Sequence, residues 1–498
     1  MDYSIGDKGR KITLQPGLVG DLVNRYLKPF RRRIGPDPAS IKAARIGGII
    51  NNNASGMCCG TAQNSYHTLE SIRFILANGH GYDTGNPEDY TRFLTREKAL
   101  VRGLLSVRDK ITASGALTRK IREKYKIKNT LGYSMNALLD FTHPLDIFAH
   151  LLVGSEGTLA FVSQVCLQTV PDPPEKLTGL VLFPNLRDAC SVIPALVDTG
   201  AKAVELMDYS SLTTAKYLRN PPYDVTALDS RTAALLIEYQ GESHEALTDL
   251  VRPVTHTISG KAGNIVGGFQ ANEDHRAALW QIRKGLYPTV GSLRKKGTSV
   301  ITEDIAYPLV NLPEVIDHLH GMFRKWKFED AVVFGHAKDG NLHFVTSIDL
   351  DSTAGVANYD GLMNDLVDLT TVKYPGSLKA EHGTGRNMAP FIEAEWGGEL
   401  TSMMWEIKQS ADPKNILNPG VLLNRDAKIH LKNLKPMPLI NEIVDQCVEC
   451  GFCEPVCPSA ALTTTPRQRI VLAREIELRK GGDERRELQH DFRYAVMD

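Results

Sequence analysis

Two kinds of apolar pattern alternate along this chain. Short runs rich in branched and aromatic residues, Leu180 to Phe183, Ala234 to Tyr239 and Ala331 to Phe334, read as strands. Longer stretches with helical spacing lie among them, Arg187 to Thr199 and Asn311 to Lys325. Such interleaving predicts an α+β fold. A further strand-like run, Leu159 to Val165, ends shortly before Pro171-Asp172-Pro173-Pro174, and a second proline-rich stretch extends from Asp412 to Pro438. These breaks divide the chain into regions of about 1–172, 173–425 and 426–498. The last region closes in a charged, helix-favouring tail, Arg467 to Gln489. There is no internal repeat and no low-complexity tract.

Composition narrows the class. A chain of 498 residues suggests about three domains. Lys+Arg and Asp+Glu balance at 58 each, so nothing in bulk favours phosphate and a nucleic-acid partner is not expected. With 42% apolar and 23% charged residues the chain has enough to bury, which excludes a mostly disordered one. No apolar run approaches the roughly 18 residues of a membrane span. The start, Met1 to Lys8, lacks the apolar core of a signal peptide. The expected location is the cytoplasm, or the inner face of the membrane as a peripheral protein.

Four of the eight cysteines fall within a few residues: Cys447-x2-Cys450-x2-Cys453-x3-Cys457, followed by Pro458. One turning loop with thiolates so spaced can wrap a cluster, and this is the bacterial ferredoxin run for a [4Fe–4S] centre. Zinc is the rival reading, but zinc sites favour two ligand pairs separated by a longer stretch. In two-cluster ferredoxins the fourth cysteine ligates the other cluster, so Cys457 serves either this cluster or a second one. A lone cluster passes electrons, and a redox donor is therefore expected elsewhere in the chain.

The segment Ala331 to Val345 reads as strand, turn, strand, with Asp339-Gly340 as a two-residue hairpin signal. That turn sets His336 directly opposite His343, their Cβ atoms roughly 5 Å apart on one face. Two such imidazoles suit one divalent ion, and Glu381, in the Gly-rich Ala380 to Arg386, is the best third ligand. A His/His/Glu set with an open position is a catalytic type of site. Elsewhere, Gly35 to Ser40, Ile46 to Met57 and Gly154 to Thr158 are small-residue turns whose N–H groups can cradle an anion. No G-x-G-x-x-G and no P-loop is present, which removes a Rossmann cofactor site.

Taken together these motifs resemble the FAD-linked oxidases of the vanillyl-alcohol-oxidase (PCMH) type. The match is to the D-lactate and D-2-hydroxyglutarate dehydrogenase branch with a fused 4Fe-4S domain. The resemblance rests on Gly35-Pro36-Asp37-Pro38 with Ile46-Gly47-Gly48, on Asn52-Asn53-Ala54-Ser55-Gly56, and on Leu152-Val153-Gly154-Ser155-Glu156-Gly157-Thr158-Leu159. It continues through Trp280-Gln281-Ile282-Arg283, Gly335-His336 to His343, Glu381-His382-Gly383 and Asp412 to Gly420, in family order over almost the whole chain. It implies a PCMH-type FAD-binding domain over 1–172, an α+β substrate or cap domain over 173–425, and a small helical iron–sulfur domain over 426–498.

The same resemblance implies the site. FAD contacts would come from Pro36, Asp37, Ser40, Gly47, Gly48, Asn53, Ala54, Ser55, Gly56, Gly154, Glu156 and Gly157. A divalent cation, Zn or Mn, would be held by His336, His343 and Glu381. His382 would be the general base and Arg283 would clamp the carboxylate of a D-2-hydroxy acid, D-lactate or D-2-hydroxyglutarate. Hydride would pass to flavin N5. Electrons would then move through a cluster on Cys447, Cys450, Cys453 and Cys457 to an external acceptor: a quinone, a cytochrome or an electron-transfer protein. Set against the family, Lys11 to Gly17 reads as the strand and turn that follow its pyrophosphate loop, so the chain is expected to be incomplete at both ends. A polypeptide supplying the missing flavin segment is then a candidate partner. Two rival classes stay open: a non-catalytic or partner-dependent subunit, and a metal-dependent hydrolase built on the histidine hairpin.

Overall fold

Two antiparallel sheets carry the architecture of the computed structural model, which describes residues 2–218, 221–459, 462–479 and 481–497. The first sheet holds β1 (Tyr3–Gly6), β2 (Lys11–Leu14), β3 (Arg32–Ile34), β4 (Leu69–Ile75), β5 (Gly81–Asp83) and β6 (Phe161–Pro171). Its order is β1-β2-β6-β4-β5, with β3 also paired to β6. In β2, buried Ile12 and Leu14 alternate with half-buried Lys11 and Thr13, so one face is core and the other is not. The helix Lys98–Ala113 buries Leu100, Leu104, Val107 and Ile111, a stripe at helical spacing that faces the same core.

The second sheet begins where the proline-rich break ends. It comprises β7 (Glu175–Phe183), β8 (Ala203–Met207), β9 (Ala233–Gly241), β10 (Asn264–Gln270), β11 (Ser299–Ala306), β12 (Val332–His336) and β13 (Asn341–Ile348). The order is β10-β7-β9-β8-β12-β13-β11. One face joins the main core beneath the helices Leu186–Asp198, His244–Ser259 and Leu312–Lys325. The other face carries a smaller apolar cluster, including Met207, Leu236 and Phe334, under Leu279, Ile282 and Leu286 of the helices Glu273–Lys284 and Leu286–Leu293. The predicted strands and helices of region 173–425 therefore exist, with boundaries shifted by a few residues.

The end of that region packs against the first half of the chain: Trp396 Nε1, just before the helix Gly398–Ala411, donates to the Leu131 carbonyl at 2.8 Å, and Lys408 Nζ within it to the Thr158 carbonyl at 2.8 Å. Beyond it, region 426–498 has short 3-10 turns and two helices, Pro466–Leu478 and Asp483–Met497. Thr465 and Gln468 form a capping box at the first of these. The predicted tail, Arg467 to Gln489, takes in the first helix and the start of the second, broken at Gly481-Gly482; its Lys480 lies outside the described residues. No described helix is long and apolar enough to cross a membrane.

The hairpin register differs from the expected one. His343 is opposite Phe334, not His336, and the ladder ends there. In place of a two-residue turn stands the 3-10 turn Ala337–Asp339, closed by Gly340 at φ +66°. The cause is the residue just after β11: Tyr307 N donates to the Gly340 carbonyl at 2.9 Å, and a Cβ on Gly340 would stand 1.8 Å from the Tyr307 oxygen. This close approach pulls the turn away from the hairpin axis. Because the slip is two residues and the side-chain period is two, His336 and His343 still share a face.

Candidate active site

The charged residues of the second sheet gather on the face that carries the smaller apolar cluster. His336 is opposite Glu205 on β8, and His343 is opposite Asp304 on β11. Glu205, Asp304, His336, His343 and Glu381 are all buried. Charges so placed are costly unless paired, and those of Glu205, Asp304 and Glu381 are. His336 Nδ1 meets Glu205 Oε1 at 2.8 Å, and its Nε2 meets Glu381 Oε1 at 2.9 Å. His343 Nδ1 lies 3.2 Å from Asp304 Oδ1, and its Nε2 3.7 Å from Glu381 Oε1. The two rings are 5.0 Å apart and nearly perpendicular.

The loop bearing Glu381 and His382 is pinned from two sides. Asp304 Oδ2 accepts from the Glu381 and His382 amides at 2.6 and 2.8 Å. From the flavin-side half, the Glu156 carboxylate accepts from the Thr384 and Gly385 amides at 2.5 and 3.1 Å. Glu381 Oε2 is fully engaged: Ser55 Oγ at 2.5 Å, the Gly56 amide at 2.8 Å and Lys128 Nζ at 2.9 Å all donate to it. That division leaves Oε1 turned toward the two imidazoles.

Electrostatics follow from this packing. Burial opposes a charge on His336, yet the Glu205 and Glu381 carboxylates outweigh it and push its pKa up to about 9. For His343 burial wins over the Asp304 contact and the pKa falls to about 4. Against its own burial, Glu381 is held well below the usual carboxylate range by Lys128 and His336. Three buried carboxylates thus face two buried cations, Lys128 and Arg283, and Asp339 lies 3.4 Å from the same Lys128. A proton on His336, or a cation in its place, would supply the missing positive charge.

The donor set fits a metal. Ligand atoms of His336, His343 and Glu381 all lie within 4.8 Å of one another, as do those of Asp304, His343 and His382. The first set is the better one, because the Asp304 oxygens already accept from Glu381 N, His382 N and Asn341 Nδ2. His382 stacks on His343 at 4.9 Å with its side chain 42% exposed, free to meet a ligand.

Arg283 sits at 4% exposure on the helix Glu273–Lys284, so it is no surface residue. Its Nε donates to Glu205 Oε2 at 2.7 Å and its guanidinium lies over the Phe334 ring at 4.5 Å. Among the described residues its Nη groups have no hydrogen-bond partner. Arg283, His336, His343, Glu381 and His382 line one cavity of about 330 Å³, and Ser40, Asn52, Ala54 and Ser55 line its other side.

The remaining predicted flavin residues divide into two groups. Gly48 and Gly157 border open space, so a cofactor could approach their backbone closely. Gly56, at φ +128°, lies so close to Asp37 that a Cβ would stand 2.1 Å from its carbonyl oxygen. Asp37 and Asn53 are engaged with the protein itself: Asp37 accepts from the Cys58 and Cys59 amides, and Asn53 Oδ1 from the Tyr66 amide at 3.0 Å. Gly47 and Gly48 open a short helix, Ile46–Asn51, rather than lying in a loop.

Cys447, Cys453 and Cys457 are half-buried and Cys450 is exposed. The Glu449 amide points at Cys447 Sγ at 3.4 Å, and Glu449 (φ +60°) and Gly451 (φ +81°) bend the loop between cysteines. Left-handed positions and an N–H aimed at sulfur suit a thiolate cluster.

Sequence reasoning missed Glu205, Lys128 and Asp304. Glu205 had a signal: it is the one charge in the apolar run Ala203–Met207. Lys128 had none. Lys128→Met is expected to leave Glu381 and Asp339 without their cation and to lower stability by about 3–5 kcal/mol, read by urea unfolding.

Comparison with known proteins gives the family and the fold. Residues 172–422 match the family described as FAD linked oxidases, C-terminal domain, and residues 3–85 match FAD binding domain. Glycolate oxidase subunit GlcD of Bacillus subtilis is 25% identical over 85% of this chain and 77% of its own length. D-2-hydroxyglutarate dehydrogenase of Pantoea ananatis is 26% identical over 95% of this chain, which spans only 49% of that relative. Mitochondrial D-lactate dehydrogenase [cytochrome] of Kluyveromyces lactis is 24% identical over 84% of this chain and 63% of its own length. Among solved structures, p-cresol methylhydroxylase superposes with a TM-score of 0.56 at 14% identity, covering 84% of this chain and 77% of that one. For 4-ethylphenol oxidase of Gulosibacter chungangensis the TM-score is 0.55 at 12% identity, with the same coverage. These likenesses show a PCMH-type FAD-binding fold.

Proposed function

This chain belongs to the FAD-linked oxidase family, and on that premise we propose that it oxidises a D-2-hydroxy acid to the 2-oxo acid and sends the electrons through a [4Fe–4S] cluster to an external acceptor. The observation that carries the proposal is the single cavity shared by His336, His343, Glu381, His382 and Arg283 on one side and flavin-side residues on the other. The names of the relatives, which include glycolate, D-2-hydroxyglutarate and D-lactate enzymes, support the substrate class.

When bound, FAD would accept the hydride from C2, a cation on His336, His343 and Glu381 would acidify the hydroxyl, and the cluster would carry electrons onward. The chain's own residues do the rest. Arg283 presents its Nη groups to the substrate carboxylate in a two-pronged contact, while Glu205 holds the guanidinium by Nε. The His382 ring takes the hydroxyl proton, and the Asp304 contacts to its backbone fix where that ring stands. Lys128, Ser55 and Gly56 keep Glu381 turned so that one oxygen faces the substrate side.

Anaerobic mixing of the flavin-loaded protein with D- and L-2-hydroxy acids tests this. Bleaching of the flavin by a D-acid and not by its L-enantiomer is the expected result; no bleaching by any of them would refute the proposal. The cluster is tested separately. Cys450→Ser is expected to abolish the broad absorbance at roughly 400 nm from iron–thiolate charge transfer, with the thermal unfolding of the two sheets preserved. Zinc without iron or sulfide after anaerobic reconstitution would contradict the cluster.

A further inference from the structure

The cysteine segment does more than sit beside the cavity. Phe452, between Cys450 and Cys453, forms part of its wall together with Tyr287 and Phe334, so the cavity offers apolar aromatic surface as well as the polar groups of Arg283 and the histidines. The segment is held there firmly. Arg294, 9% exposed, donates from Nη2 to the Asp445 and Cys447 carbonyls at 2.9 and 3.2 Å. Arg474, 2% exposed, binds Glu449 Oε1 at 2.7 Å and the Cys447 carbonyl at 2.9 Å. Val448 packs so closely on the helix Leu286–Leu293 that a Cβ on Gly291 would lie 2.5 Å from it. The left-handed Glu449 and Gly451 then turn the chain just before Phe452.

A 2-hydroxy acid with its carboxylate on Arg283 and its hydroxyl by His382 has one group left, the substituent on C2. We propose that Phe452 is a specificity-determining residue that packs against this substituent, so that the cluster-bearing loop sets the length of side chain the enzyme accepts. The proposal rests on the functional reading above. It assigns the cysteine segment a place in substrate choice apart from electron transfer.

Phe452→Ala and Phe452→Trp change the wall in opposite directions. Both are made in the full chain loaded with flavin and cluster. The probes are straight-chain 2-oxo acids from pyruvate to 2-oxohexanoate, with dissociation constants read from the perturbed flavin spectrum, and the matching D-2-hydroxy acids, read as kcat/KM. Alanine is expected to move the preference toward longer chains and tryptophan toward shorter ones, each by about tenfold between neighbouring acids, the scale of one methylene in an apolar pocket. Absorbance of the cluster, unchanged in at least one variant, excludes loss of the loop as the cause. An identical ranking of chain lengths in the wild type and in a variant that keeps its cluster overturns the proposal. Turnover of D-acids with no change in ranking removes this inference and leaves the proposed function standing. Shifted binding of 2-oxo acids without turnover of any hydroxy acid does the reverse.

Discussion

His336→Ala is expected to lose the divalent cation and turnover together. The ring is the hinge of the charged cluster: one nitrogen touches Glu205 and the other faces Glu381 and the cavity. Without it, Glu205 and Glu381 confront each other across a void, with Arg283 and Lys128 as their remaining cations. Metal affinity should fall by more than about 100-fold, beyond the 10–100-fold usual for residues that only support a ligand. Glu205→Gln makes the comparison, because Glu205 orients His336 without reaching the other ligands; its effect should stay within that smaller range. Metal content by elemental analysis and turnover by flavin bleaching measure both. If His336→Ala kept its metal and its rate, the two histidines would be an ordinary diagonal pair in a sheet.

Much of this site was legible in the sequence, and the reason is its two-residue periodicity. His336 and His343 share a face in the expected register and in the observed one, since the slip is even. Glu381 and His382, adjacent on one loop, were placed as ligand and base by their motif, and the structure brings both to the same cavity. Neither the turn nor the salt bridges were legible. The turn depends on Gly340 lying against Tyr307, thirty-odd residues away in the chain and across a strand. Lys128 reaches Glu381 over a separation of 253 residues, and no local pattern encodes such a contact.

The fold followed the same division. Strands and helices with their own apolar period were found to within a few residues. Spatial grouping was harder, because the helix Gly398–Ala411 belongs by sequence with the second sheet and by packing with the helix Lys98–Ala113, whose Lys110 donates to the Glu406 carboxylate at 2.8 Å. Buried Lys408 donates to the Thr158 carbonyl and pairs with Asp412 at 2.6 Å, which ties the Asp412 to Gly420 motif to the Gly154 to Thr158 turn. Two motifs that looked independent in the sequence are one structural unit.

His382→Ala should separate chemistry from metal binding. The ring stacks on His343 and is half open to the cavity, while the backbone amide, not the ring, makes the 2.8 Å bond to Asp304. Removing the side chain therefore leaves the loop anchored and the ligand set His336, His343 and Glu381 in place. Metal content is expected to match the wild type, and turnover to fall by about 100-fold or more, the scale of losing a general base. Should His382→Ala keep its rate within a few-fold, the proton must go to another group, and the role assigned to His382 would be wrong.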